Sequence, residues 1–136
     1  MDEQQLRELA VELVRIPSEN PLEGPVGETK GEGRLAEFVA STLREAGIAC
    51  ELQESVPGRP SVLARIPGES EESVWFDAHL DTVSAEGMEF EPYQARIEGD
   101  LLYGRGAADD KGSMAAMMAA LIRVARSGSK PPATVL

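Results

Sequence analysis

Apolar residues recur at Leu6, Leu9, Ala10, Leu13 and Val14, the spacing of one face of a helix, with Asp2 placed to cap its start and Pro17 to stop it. Pro17 to Gly33 breaks this rhythm: Pro21, Gly24, Pro25, Gly27 and Gly31 read as a long surface loop. Periodicity then returns. Leu35, Phe38, Val39, Thr42, Leu43 and Ala46 line one face of a second helix, expected from about Glu32 to Ala46, and Gly47 sits where a C-terminal cap belongs.

Beyond Gly47 the pattern becomes that of strands. Ile48–Ser55 and Ser61–Ile66 flank a Pro57-Gly58-Arg59-Pro60 turn, and Pro67–Ser70 makes the next turn. Ser73–Ala78 is mostly apolar, which predicts a central strand with Trp75 and Phe76 in the core. Gln94–Tyr103 predicts a hairpin turning at Glu98-Gly99-Asp100. A third helix is expected from Lys111 to about Arg126; its Ala- and Met-rich sequence is apolar on nearly every side, as for a helix buried against a sheet. Ser127–Ser129 and Pro131-Pro132 end it, and Ala133–Leu136 opens another strand. A βαβ unit needs that strand to cover the helix, so the sequence is expected to be truncated. No repeat or internal domain boundary is visible.

Composition narrows the function. Thirteen basic against twenty-four acidic residues give a net charge of −11, a field that repels nucleic acid and anionic membranes. Charged residues at 27% and hydrophobic ones at 42% are those of a globular chain, not a disordered one. Cys50 is the only cysteine, so an intrachain disulfide and a cysteine-rich zinc cluster are excluded, and its strand context predicts an inert thiol. Met1–Gln5 lacks the features of a signal peptide, and no apolar run approaches the ~20 residues of a membrane helix. A cytoplasmic location is expected.

Chemistry concentrates in two places. His79, the only histidine, follows the Ser73–Ala78 strand directly, and ligands of open α/β sheets gather at such carboxyl ends. In extended chain Asp81 points the same way as His79, so its carboxylate can hold one ring N–H and leave the other nitrogen for a metal. Alone, a His-x-Asp is weak, and a structural histidine is the commoner case.

The second place is Gly104-Arg105-Gly106-Ala107-Ala108-Asp109-Asp110-Lys111-Gly112-Ser113, after a strand and at the mouth of a helix. A phosphate loop fails on charge, because Asp109 stands where a dinucleotide fingerprint has its third glycine and Asp110 follows. Two carboxylates there suit a cation, although a charged helix cap followed by an exposed lysine stays open. Gly24–Gly31 resembles a P-loop in composition only, Glu71-Glu72 reads as solvated surface, and Ser84 lacks the surroundings of a serine nucleophile.

Taken together, strand–His79-Leu80-Asp81-Thr82-Val83 and the later Leu102-Tyr103-Gly104-Arg105-Gly106-Ala107-x-Asp109-x-Lys111-Gly112 resemble the zinc-dependent exopeptidase and deacylase family of acetylornithine deacetylase, succinyl-diaminopimelate desuccinylase, aminoacylase and glutamate carboxypeptidase. Leu13–Ser18 and Ser61–Gly68 resemble the same family, with Ser61 where asparagine is commoner. The resemblance implies an α/β fold with a mixed, largely parallel sheet flanked by helices, the whole of 1–136 being the N-terminal part of the catalytic domain. It implies that His79 binds one Zn²⁺, that Asp109 bridges two, with Co²⁺ a possible substitute, and that Asp81 orients His79. A cis peptide bond is implied at Asp109–Asp110. The implied reaction is hydrolysis of the amide bond of an N-acyl amino acid or small peptide by a water shared between the metals.

The family's general base, the remaining metal ligands and its lid and dimerisation domain are expected beyond Leu136. The fragment itself is therefore expected to be inactive and the complete protein a homodimer. A catalytically dead relative serving as a binding or dimerising module, and a nucleotide-binding α/β domain, are the competing readings.

Overall fold

Asp2 starts the first helix as its position predicts: its carboxylate accepts the Gln5 N–H, and the Gln5 side chain accepts the Asp2 N–H in return. This reciprocal cap is worth about 1 kcal/mol and fixes the start of α1, Glu3–Arg15. The computed structural model describes residues 1–22 and 28–136. Gly24, Pro25 and Gly27 of the expected loop, and with them half of the P-loop-like stretch, lie outside the described residues.

The second helix, α2, spans Gly33–Glu45, one residue later than its apolar face suggests. Glu32 stands at its cap position but makes no cap bond; its Oε1 accepts from Arg59 instead. Gly47 closes the helix with a φ of 81°, a left-handed turn that favours glycine. The chain then forms a hairpin of β1, Ala49–Val56, and β2, Arg59–Arg65. The hairpin turn is tighter than expected, since Arg59 and Pro60 already belong to β2.

The apolar faces meet in one cluster. Leu9 and Leu13 of α1, Leu35, Val39 and Leu43 of α2, Ile48 just before the hairpin and Ala64 within it, and Met114, Met118 and Ile122 of the last helix are all buried in it. Each large side chain contributes roughly 1.5–3 kcal/mol by leaving water. That last helix, α3, runs Gly112–Arg126 and packs against α1 as well as into this cluster.

Strand β3 corrects an expectation. Only Ser73–Val74 form it, and Trp75 and Phe76 are 68% and 55% exposed where the sequence pattern predicts core. Their apolar run is continuous, but β3 has a single strand neighbour among the described residues, β6 at Thr134–Val135, and nothing there covers the indole. The β3–β6 pair is parallel, with α3 on the connection, so the βαβ reading holds. It is also the only parallel ladder among the described residues; β1–β2 and the small hairpin of β4, Arg96–Glu98, and β5, Leu101–Tyr103, are antiparallel. An antiparallel bridge between Ile66 and Val135 links the first hairpin to β6. The architecture is mixed α/β flanked by helices, as the resemblance implies, with further parallel bridges from Glu19 to Lys30 and to Thr82. No helix among the described residues is long and apolar enough to cross a membrane.

Gly68 shows how closely β6 approaches: a Cβ there would lie 2.1 Å from the Ala133 carbonyl carbon. Cys50 is half-buried and unpaired, and burial pushes its thiol pKa up, as expected of an inert cysteine.

Candidate functional site

Two loops converge on one edge of the β3 layer. The first is the extended segment after β3 that carries His79 and Asp81. It is held in line by the chain just after α1, where Asn20 N–H donates to the Thr82 carbonyl (2.8 Å) and Thr82 N–H to the Ser18 carbonyl (2.9 Å). The second loop runs from β5 into α3. Gly104 lets it lie on α1, since a Cβ there would sit 2.3 Å from Val14 Cγ1. Gly106 turns it with a φ of 79°, and a Cβ would come within 2.7 Å of the Thr82 methyl.

Ala107–Lys111 then forms a kinked lead-in to α3, in which Asp109 alone leaves helical geometry (φ −136°, ψ 92°). The Asp109–Asp110 peptide bond is cis, in agreement with the resemblance.

These two loops bring the predicted residues together. His79 Nε2 lies 2.8 Å from Asp109 Oδ1, across thirty positions of sequence. On the other side of the ring, Nδ1 donates to the main-chain carbonyl of Asp81 at 2.8 Å. The Asp81 carboxylate is farther, 3.5 Å from Nδ1, and accepts instead from Asn20 Nδ2 at 2.7 Å. The ring contact expected of the Asp81 carboxylate is thus made by its main-chain carbonyl instead. Both ring nitrogens face oxygens that only accept; a cation held between Nε2 and Asp109 would take the place of the Nε2 proton and leave Nδ1 donating to the Asp81 carbonyl.

His79 is 47% and Asp109 90% exposed. The Asp109 carboxylate raises the imidazole pKa above its ordinary value, against partial desolvation, and the Asp81 carbonyl adds to the rise. His79, Asp81, Thr82, Arg105 and Asp109 line a cavity of about 250 Å³. His79 and Asp81 also border a groove of about 770 Å³ running past Trp75 and Met114 to Leu136.

A divalent cation suits this pair. An imidazole with its tautomer fixed by a carbonyl and a neighbouring exposed carboxylate are the donors that zinc takes. Among the described residues no group of three or more His, Cys, Asp or Glu side chains is placed to hold a metal, and catalytic zinc takes about three protein ligands. His79 and Asp109 could therefore supply only part of a ligand set.

Other polar residues at the site went unread in the sequence. Lys111, an exposed residue on the competing cap reading, is 1% exposed, and its ammonium donates to the Ile16 carbonyl at 2.6 Å. Burial pushes its pKa down to about 8. It ties the Asp109 loop to the chain after α1, and nothing in the spacing of a Lys-Gly pair announces this. Glu19, also buried, bonds Lys30 Nζ at 2.9 Å and the Tyr93 hydroxyl at 2.5 Å.

Burial alone would raise the Glu19 carboxyl pKa, but Lys30 and Tyr93 outweigh it and bring it down to about 2. An unfolded glutamate titrates near 4.3, so this carboxylate stabilises the fold above that pH, on the order of 3 kcal/mol, and loses its contribution as pH falls towards about 2. Glu19→Gln should therefore lower the thermal midpoint at neutral pH and flatten its fall between pH 4.5 and 2, followed by circular dichroism. An acid limb as steep as the parent's would remove Glu19 from the account.

Residues 75–136 match the family described as Peptidase family M20/M25/M40. The chain is 34% identical over 128 residues to the succinyl-diaminopimelate desuccinylase of Methylocella silvestris, covering 89% of this chain and 30% of that protein. The enzyme of the same name from Methylobacterium radiotolerans is 37% identical over 120 residues, covering 84% of this chain and 28% of its own length. The fold is similar to that of an M20 family metallo-carboxypeptidase from Sulfolobus solfataricus, with a TM-score of 0.77 and 23% identity over 99% of this chain and 30% of that one. Human carnosine dipeptidase 1 gives a TM-score of 0.78 with 25% identity over 97% of this chain and 30% of its own. The chain spans about 30% of the length of the relatives it matches.

Proposed function

Because the chain belongs to the M20/M25/M40 peptidase family, we propose that the whole protein is a metal-dependent hydrolase that cleaves the amide bond of an N-acyl amino acid or small peptide. The observation that carries this reading is the 2.8 Å approach of His79 Nε2 to Asp109 Oδ1. Two groups distant in sequence, each a good ligand for a divalent cation, meet at an exposed edge beside a cavity.

His79 and Asp109 would hold the metal, Asp109 being the more accessible and able to offer oxygens to two ions. Zn²⁺ suits the imidazole and carboxylate donors, and Co²⁺ accepts the same set. Bound there, such cations would supply Lewis acidity toward the amide carbonyl and lower the pKa of a water. The residues of this chain do the rest of the local work. The Asp81 carbonyl keeps the proton on Nδ1 so that Nε2 can bind, and the 79–83 segment and the Gly104–Asp109 loop wall the cavity. The general base and the remaining ligands would come from outside residues 1–136.

Names of relatives point to two substrate classes, N-succinylated amino acids and short peptides. The net charge of −11 argues against nucleic acid and anionic membrane as partners; a cytoplasmic location and a homodimeric whole protein are proposed on the family resemblance alone. The test is elemental analysis of the whole protein together with hydrolysis assays on N-succinyl and N-acetyl amino acids and dipeptides. We expect bound zinc and turnover of at least one class that chelation abolishes. A protein free of metal, or turnover indifferent to chelation, overturns the proposal.

A further inference from the structure

We infer that the larger groove is a slot one strand wide, filled in the whole protein by the residues that follow Leu136. They continue β6, hydrogen-bonded to β2 on one side and to the segment after β3 on the other. The inference rests on backbone geometry and is independent of the cation reading of His79.

β6 already lies between the two walls. Val135 exchanges main-chain hydrogen bonds with Ile66 in both directions, 2.9 Å each, and pairs with Val74 in parallel register. Leu136 N–H donates to the Val74 carbonyl, and Phe76 N–H to the Leu136 carbonyl. Neighbouring strands are about 4.8 Å apart, so two walls that share β6 stand about 10 Å from each other, room for one strand. Past Leu136 the same walls run on as the sides of the groove of about 770 Å³, Ala64 back to Pro60 on β2 and Phe76 to Asp81 after β3.

Main-chain groups two positions apart in a strand point the same way. Those of Ala64 and Val62 are therefore directed as Ile66's are, into the groove and away from β1. Opposite them, the Phe76 carbonyl and the Ala78 N–H take the next rungs of the parallel ladder. Donors and acceptors on both walls select an extended polypeptide. The floor is apolar, made by Met114, Met118 and Leu121 of α3 with Val39 and Leu43 of α2. Val135 packs on the core side, so the first and third residues after Leu136 face this floor and should be apolar.

The far end closes where Arg59 Nη2 reaches across to Asp81 Oδ2 at 3.5 Å. Pro60, beside it, has no N–H to offer a further rung. The pairing of Val74 with Val135 sets that end about five or six residues past Leu136. The chain's own continuation enters with no loop to close, whereas a strand from a second copy carries the entropy cost of association. The relatives, of which this chain spans about 30%, are long enough to supply it.

Disulfide trapping in the whole protein tests this. In a Cys50→Ala background, Leu63→Cys is combined with a cysteine at the second residue after Leu136. The antiparallel register of Ile66 and Val135 sets these two opposite each other as a non-hydrogen-bonded pair, with Cα atoms about 4.5 Å apart, on the face away from the floor. Mild oxidation should close an intrachain bridge in most molecules, read by mass spectrometry as a linked peptide. A cysteine at the first residue after Leu136, facing the floor, should link about tenfold less. No bridge in the register pair, a bridge only between chains, or equal linking at both positions overturns the inference. Should the cysteine variants fail to fold, hydrogen exchange of the parent decides. The Val62, Ala64 and Ala78 amides should exchange as slowly as those of Leu63 and Arg65, which face β1. Fast exchange at those three in the folded protein overturns it.

Discussion

Replacing His79 or Asp109 by alanine in the whole protein is expected to reduce amide hydrolysis by at least roughly three orders of magnitude, the several kcal/mol that a bound cation lends to an acyl transition state. The reason is geometric. Asp109 Oδ1 and His79 Nε2 are 2.8 Å apart, so one ion would need both, and neither has a substitute among the described residues. The two losses should therefore not add: the double variant should be about as inactive as either single one, and all three should bind less metal by elemental analysis. Both side chains are well exposed, 47% and 90%, so the thermal midpoint of the metal-free variants should stay near the parent's. Turnover within tenfold of the parent in either single variant would falsify the assignment of that residue as a ligand.

The second large effect is expected at a residue with no side chain. Gly106 has a φ of 79°, and an added Cβ would sit 2.7 Å from the methyl of Thr82, itself buried. Gly106→Ala thus combines left-handed backbone strain of about 1–2 kcal/mol with overpacking of about 1–3 kcal/mol. The loop can relieve the clash only by moving away from Thr82, and Asp109 moves with it. A displacement near 1 Å at a reacting centre costs about 10²-fold. The variant should accordingly lose stability in urea titration and activity together, a pairing that sets it apart from the ligand substitutions. A Gly106→Ala protein with parental stability would mean that the loop has slack at this turn.

What the sequence pattern could and could not reveal follows from how local each determinant is. Asp2, the apolar stripe of α1, Gly47 and the Glu98-Gly99-Asp100 turn act within a few residues of themselves, and the elements they predict are present. His79 and Asp109 were legible because each sits at a junction, one after a strand and one before a helix, where ligands collect. Asn20, Arg59 and Glu32 were not. Each lies in a segment that reads as loop, turn or helix start, and their partners are sixty-one, twenty-two and twenty-seven positions away.

Lys111 misleads for a related reason. A lysine at the mouth of a helix belongs in water unless a carbonyl is brought to it, and the Ile16 carbonyl that does so is ninety-five positions distant. Trp75 and Phe76 fail in the opposite sense: apolar content predicts burial, but burial needs a neighbour, and β3 pairs only with β6 among the described residues.

Trp75 is the chain's single tryptophan, four positions ahead of His79, with its indole open to solvent. Intrinsic fluorescence from this chain is therefore a one-site optical signal, red-shifted and open to collisional quenchers such as acrylamide while the strand edge is bare. Anything that settles over that edge should shift the emission to the blue and shield it, so that its arrival can be timed by stopped-flow without attaching a dye.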